Sequence, residues 1–572
     1  MNLHVLMGDE VLALMDRADF ARSWGLVYDQ CPWATGFQSF EFVRTWYRSY
    51  AGIYTPLVVI GPTAEKMEGL LPLALKLDHP QVAYGAGAHQ AEYQGWLCAP
   101  DKAQEFPGEA IEKLRALNIE VHWKYLPPQI PLEWIGKDKS LASRAILTAH
   151  PCPLMELQSG QTVAESLKKS ANKSKLSRLQ KLGELQFKRL SRPEELAPFL
   201  EEIIAAGDLR QGAIHNVLPF QADPRKRDFH LNLLAAGERL HVTVLLAGGR
   251  LVASHIGMIS RDRVHLGIQT YAPELAALSP GKIHLLMLAN KLREEGYRYL
   301  DLTPGGDAYK DRFDNQVVDA YGLSVLGSSL KKPRVCLRDR LSFAAGKILA
   351  RGGMPPARLR KISGRLGRIR PRTLLNLMGR VCRGFYHKTE FRVYFYDCQR
   401  KLDPGPNRNI KRNHYADICK FVPAEAWQSR KGFLSGSLEA LGQQGHIFTV
   451  ADGTELLHFG WLRENATRSY FTEVHQDYEF PEGSAVLFRS YTHPHARGRG
   501  GGRLFVTGAG GPPTRTPGGA ACTRRPCGRR WRMPAARRGL TGCTPESTPP
   551  ITLQNMLWKS WALFMNVPCM NK

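Results

Sequence analysis

The chain has 572 residues, too many for one hydrophobic core and enough for three or four folded units. Hydrophobic residues make up 43% of it and charged residues 23%, the balance of a soluble globular protein in which no apolar run nears the ~20 residues of a membrane span. The formal charge of +26 is uneven: residues 331–400 hold 19 Lys and Arg against 3 Asp and Glu, and residues 497–572 hold 13 against 1, which leaves the remainder near neutral and argues against nucleic-acid binding as the main activity.

The first twenty residues, MNLHVLMGDEVLALMDRADF, place acids among the apolar positions and lack a basic start, so no signal peptide is expected. Eleven cysteines are scattered without CxxC pairs, and no histidines fall at zinc-finger spacing. A reducing, cytoplasmic setting and no metal are the expectation.

In chain order, a first lobe over residues 1–150 opens with a helix after Ser39, a plausible N-cap, followed by aromatics at helical spacing. Strands are predicted over residues 54–61 and 68–77, a helix over 109–118 and an alternating strand over 119–126. Gly85-Ala86-Gly87 reads as a tight bend. The second lobe, residues 151–328, begins with a helical stretch over 162–182 bearing Lys168, Lys169, Lys173, Lys175, Arg178 and Lys181. Such a face is either solvated or meets phosphates. A helical stretch over 193–206 leads into a meander: a strand over 240–247, a Gly248-Gly249 turn, a strand over 250–260, a charged turn at Arg261-Asp262 and a strand over 264–271.

Ser279-Pro280-Gly281 then opens a helix with apolar residues at Ile283, Leu286 and Met287 and at Leu285, Leu288 and Leu292. Gly296 stops it, and a short strand over 297–302 follows. Strand, helix, strand implies a parallel pair with a crossover. Free N–H groups and the dipole at the helix start form an anion site. Residues 329–404 read as a basic linker broken by Gly352-Gly353 and Pro355-Pro356. Residues 405–500 carry predicted strands over 445–451, 456–462, 469–476 and 484–491, and residues 501–572, crowded with Gly, Pro, Arg and Cys, read as a disordered or frameshifted tail.

Tyr271, Ser279-Pro280-Gly281, Gly296, Asp301 and Gly305-Gly306-Asp307-x-Tyr309-Lys310 together resemble the FemAB-related branch of the GNAT acyltransferases, in particular the CelD-type group linked to cellulose and exopolysaccharide synthesis. The resemblance covers roughly residues 30–325. It implies an α/β (α+β) fold of tandem GNAT-like lobes, mixed sheets flanked by helices, with an acyl-CoA, acetyl-CoA above all, as co-substrate. By the same resemblance Tyr271, Ser279, Gly281 and Lys282 would hold the donor, and Asp301, Tyr309 and Lys310 would be catalytic. Asp301 is either the base or acceptor-orienting carboxylate, or merely a cap on the following turn.

His495-Ala496-Arg497-Gly498-Arg499-Gly500 resembles the GNAT pyrophosphate loop, Gln/Arg-x-x-Gly-x-Gly/Ala, with His495 departing from it. That makes residues 405–500 an incomplete GNAT-like lobe in which Arg497, Gly498, Arg499 and Gly500 would face phosphate, and in which Glu473 is either a base or an exposed strand residue. The implied activity is N- or O-acyl transfer to a sugar or cell-surface polysaccharide precursor. Two alternatives stay open: an aminoacyl-tRNA-dependent FemAB-type transferase, and a catalytically silent scaffold in a polysaccharide-synthesis assembly, attached through the basic linker; that linker is also the candidate for contact with a membrane surface.

Overall fold

The computed structural model describes residues 2–333, 393–396, 410–497 and 561–564, apart from 159–162, 238, 306–309, 427 and 472–473. The chain divides into two compact units, the first comprising residues 1–207, 219–272 and 278–379, the second 208–218, 273–277 and 380–572.

Unit 1 is built on one sheet of fourteen strands: β1 (His4–Met7), β2 (Tyr54–Pro62), β3 (Met67–Lys76), β4 (His79–Gly85), β5 (Leu97–Cys98), β6 (Glu120–Leu126), β7 (Ala145–Glu156), β8 (Leu185–Leu190), β9 (Leu240–Ala247), β10 (Arg250–Ser260), β11 (Arg263–His265), β12 (Ile268–Tyr271), β13 (Tyr299–Asp301) and β14 (Gln316–Val325). Their order is β1-β2-β3-β4-β6-β14-β7-β13-β11-β10-β9-β8, with β5 on β3 and β12 on β10. All eight residues of β9 are buried, as is nearly all of β2 and β3. Helices pack around these strands, among them α1 (Phe40–Ser49), α2 (Phe106–Ala116), α3 (Val163–Lys168), α4 (Ser170–Gln180), α5 (Pro193–His215) and α6 (Pro280–Glu294). The expected mixed α/β architecture is borne out.

Local chemistry explains the elements that position the site. Ser39 Oγ accepts from the Phe42 amide at the start of α1, which buries Phe42, Val43, Trp46 and Tyr47. The β9–β10 hairpin turns on Gly248 (φ 56°) and Gly249 (φ 78°), a pair of positive φ angles that suits the strands' twist and that glycine adopts without strain. Two neighbouring pairs are parallel, β4 with β6 and β11 with β13, and the crossovers between them carry α2 and α6.

Pro280 supplies the preset φ of a first helical residue in α6, and both expected apolar sets are buried except Met287, because the helix packs on β10, β12 and α3. Gly296 ends the region at φ 88°: the Tyr297 amide reaches Leu292 O at 3.0 Å and the Gly296 amide reaches Arg293 O at 3.1 Å, the two bonds of a Schellman cap.

Some elements depart from expectation. The basic stretch is two helices rather than one, since Lys169 takes an extended ψ of 137° between α3 and α4. The 193–206 helix runs on to His215. Strand β7 was not foreseen, because His150-Pro151-Cys152-Pro153 interrupts the apolar alternation.

Unit 2 has a six-stranded sheet in the order β15-β22-β21-β18-β17-β16, and a two-stranded hairpin β19–β20. The strands are β15 (Val393–Tyr396), β16 (Lys411–Arg412), β17 (Gly445–Asp452), β18 (Glu455–Arg463), β19 (Arg468–Phe471), β20 (Gln476–Glu479), β21 (Ala485–Thr492) and β22 (Trp561–Phe564). The hairpin replaces the single strand expected over 469–476. Helices α7 (Tyr415–Cys419) and α8 (Arg430–Gly442) complete the unit. Leu434, Leu441, Ile447, Trp461 and Leu462 are buried there, and Phe421 stacks on Phe433. No helix among the described residues is long and apolar enough to cross a membrane.

Candidate active site

The parallel strands β11 and β13 stay together only as far as the pair His265 and Asp301. Beyond it β12 keeps its antiparallel pairing with β10, Ile268 to Tyr271 against Ile256 to Ala253. The chain after β13 turns instead towards β7, where the Leu302 amide donates to Pro153 O. The two parallel strands therefore part after one short run. Beside β12 stands the start of α6: Gln269 Nε2 donates to Gly281 O at 3.1 Å, and a Cβ on Gly281 would lie 3.1 Å from Tyr271 Cδ1. Tyr271, Ser279, Gly281 and Lys282 are thus neighbours.

Four cations gather at this helix start from three segments. Lys175 Nζ donates to Ser279 Oγ at 2.8 Å, and Ser279 itself takes the left-handed conformation (φ 51°) that turns the chain into the helix. The ammonium of Lys282 is held below its ordinary value by burial first, and then by repulsion from Lys175, Lys169 and Arg312. The basic helices α3 and α4 therefore do more than solvate a surface. Like charges crowded at the positive end of a helix dipole are mutually unfavourable until an anion joins them.

Asp301 is wholly buried in this fold. Tyr93 donates its hydroxyl to Oδ2 at 2.9 Å, His265 Nδ1 lies 3.1 Å from Oδ2, and the Thr303 amide donates to Oδ1 at 2.8 Å. The Cys152 thiol donates to Oδ1 at 3.4 Å. Burial alone would raise this carboxyl; the His265 imidazole, the Thr303 amide and the Arg263 charge outweigh it and hold the group below the usual carboxylate range. Burial pushes the Tyr93 hydroxyl and the Cys152 thiol well up, so both remain protonated donors.

Ser260 Oγ lies 2.7 Å from His265 Nε2, so Ser260, His265 and Asp301 stand in the order of a nucleophile, a base and its orienting acid. All three are at most 3% exposed, and Ser260 Oγ already accepts the Gly36 amide at 2.7 Å. In this structure the three side chains are hydrogen-bonded to one another and to the Gly36 amide inside the fold. Tyr93 and Gly36 come from the first part of the chain and the rest from the second, so both parts build this network. None of Tyr93, Cys152, Ser260 and His265 was singled out from the sequence.

Lys310 is also buried, and its ammonium donates to Thr303 O at 3.1 Å, which braces the turn after β13. Tyr309 lies outside the described residues, as do Glu473 and Gly498, Arg499 and Gly500. Arg497 is described: its Nε donates to Thr492 O and its Nη2 to Glu425.

Residues 168–311 match the family model of the acetyltransferase (GNAT) domain. The stretch is therefore similar to a GNAT-type domain. The match runs from the basic helices through α6 and β13 to Lys310 and its neighbour, and spans less than half of the chain. No curated protein matches the sequence. Among solved structures, FemX is 10% identical, covering 55% of this chain and 97% of that one at a TM-score of 0.38. A tandem GNAT protein from the clavulanic acid biosynthesis pathway is 12% identical over 56% and 98% at 0.33. L-PGS from Bacillus licheniformis is 12% identical over 46% and 82% at 0.32.

Proposed function

We propose that the protein is an acyl-CoA-dependent N- or O-acyltransferase whose donor sits at the start of α6. The observation that carries this reading is the convergence of Lys169, Lys175, Lys282 and Arg312 on a proline-glycine helix start beside the point where β11 and β13 part. The amides near Ser279, Gly281 and Lys282 would hold the donor pyrophosphate, and Gly281 leaves them open because a side chain there would press on Tyr271. The thioester would lie where the strands separate. An acceptor amine or hydroxyl attacks the carbonyl and gives up its proton to water, the C–S bond breaks, and the coenzyme A thiolate takes up a proton from Tyr309 or solvent. Asp301 and Lys310 act on this reading as positioning residues. A sugar or cell-surface polysaccharide precursor as acceptor rests on the CelD-type resemblance, and a cytoplasmic location on the scattered cysteines.

Calorimetric titration of the full chain with coenzyme A and acetyl-CoA tests the reading. Micromolar binding is expected, weakened about tenfold or more by Gly281→Val and about 3- to 10-fold by Lys282→Ala, the size of losing one helix-end or charge contact. Parent-like affinity in Gly281→Val would remove the donor from this helix. The breadth of the cationic group also suits the 3′ end of an aminoacyl-tRNA. Absence of coenzyme A binding together with tRNA binding that falls steeply with salt would favour that donor.

A further inference from the structure

In unit 2, outside the residues 168–311 that match the family model, Glu455, His493 and His495 bring their ligand atoms within 4.8 Å of one another. Glu455 is the first residue of β18, and β21 runs antiparallel to it with Thr492 opposite His458. The His493 amide donates to Leu457 O at 2.8 Å, which pins that residue against the start of β18. Pro494 then enters a single tight turn, closed by the Ala496 amide on His493 O at 2.9 Å and the Arg497 amide on Pro494 O at 3.2 Å. The turn folds His495 back so that the two imidazole rings lie 4.0 Å apart and His495 Nε2 stands 3.1 Å from Glu455 Oε2. Arg497, the nearest cation along the chain, is directed at Glu425 and Thr492 O.

One further observation points to a ligand. Among the described residues the buried His493 Nδ1 has no hydrogen-bond partner, a state that leaves a desolvated lone pair or proton uncompensated. Two imidazoles and one carboxylate form a donor set of borderline softness suited to Zn²⁺ and its neighbours rather than to Ca²⁺ or Mg²⁺, which take oxygen. Bonds of ~2.0–2.1 Å set tetrahedral ligands roughly 3.4 Å apart, within reach of small side-chain rotations here. We infer that Glu455, His493 and His495 form a site for a transition-series divalent cation of the zinc class. With three protein ligands, a fourth position stays open to water or a small anion. The sequence hid the set because 38 positions separate Glu455 from His493 and neither histidine lies at a recognised zinc spacing.

The test is titration of the chelator-treated full chain with Co²⁺, followed by its visible absorption, and then displacement by Zn²⁺. The expected result is one tightly held equivalent with tetrahedral or five-coordinate cobalt bands, absent from Glu455→Gln and from His493→Ala. His495→Gln serves where a buried change impairs folding, because this side chain is 57% exposed. Bands of equal strength in the parent and the variants, or no cobalt spectrum in the parent, would overturn the assignment.

Discussion

Tyr93 and Asp301 are 208 residues apart in sequence and 2.9 Å apart in the fold. Their contact supports reading Asp301 as a positioning residue, which the proposed function requires. A base must reach its substrate, whereas this carboxylate has no exposed atom and accepts from a phenol, an amide and a thiol beside an imidazole. Asp301→Ala leaves those partners buried and unmatched, and the expected cost is about 3–5 kcal/mol of stability in urea unfolding. Tyr93→Phe, which removes one donor and keeps the ring, should cost about 1–2 kcal/mol. Equal unfolding midpoints for parent and Asp301→Ala would sink the positioning role and return Asp301 to direct chemistry.

Among elements, α6 shows what the sequence discloses and what it withholds. Its start at Pro280, its apolar positions and its stop at Gly296 are local features, readable because helix caps and periodicity act over a few residues. The β9–β10 hairpin was legible for the same reason. The cations that complete the site were visible only as a basic stretch, since nothing local says that Lys175 meets Ser279 across 104 positions. Tyr93, Cys152 and His265 were missed likewise: each is an ordinary core residue until long-range pairing of β7, β11 and β13 brings them together. The cap gives its own expectation. At φ 88° a side chain is strained, so Gly296→Ala should destabilise the protein by about 1–2 kcal/mol in thermal or urea unfolding. A stabilised variant would show that α6 does not end in this cap.

At the scale of the molecule, pH acts through buried imidazoles. His241 and His255 on neighbouring strands and His284 on α6 are wholly buried, and burial pushes each down to about 3 from an ordinary 6.5. Arg189 and Lys291 add to this at His241, which lies 3.1 Å from Glu295 Oε2, and His284 faces Thr243. Folded values below unfolded ones mean that the unfolded chain binds protons first. The stabilisation is therefore whole above about pH 6.5 and is lost as the pH falls from there towards 3, at up to about 1.4 kcal/mol per pH unit for each histidine. Urea midpoints at pH 7.5, 6 and 5 should fall in that order, and His284→Gln should flatten the decline. A midpoint constant from pH 7.5 to 5 would contradict it.

Strand β14 lies between β6 and β7, antiparallel to both, although β6 closes the first part of the sheet and β14 ends the second. During synthesis, then, the backbone edge of β6 emerges from the ribosome some 190 residues before the strand that will cover it. Until Gln316–Val325 has been made, that edge is open to whatever extended chain is nearest. The same holds for β7, whose neighbours β13 and β14 are both made later, so the middle of the sheet closes only when its last strand arrives.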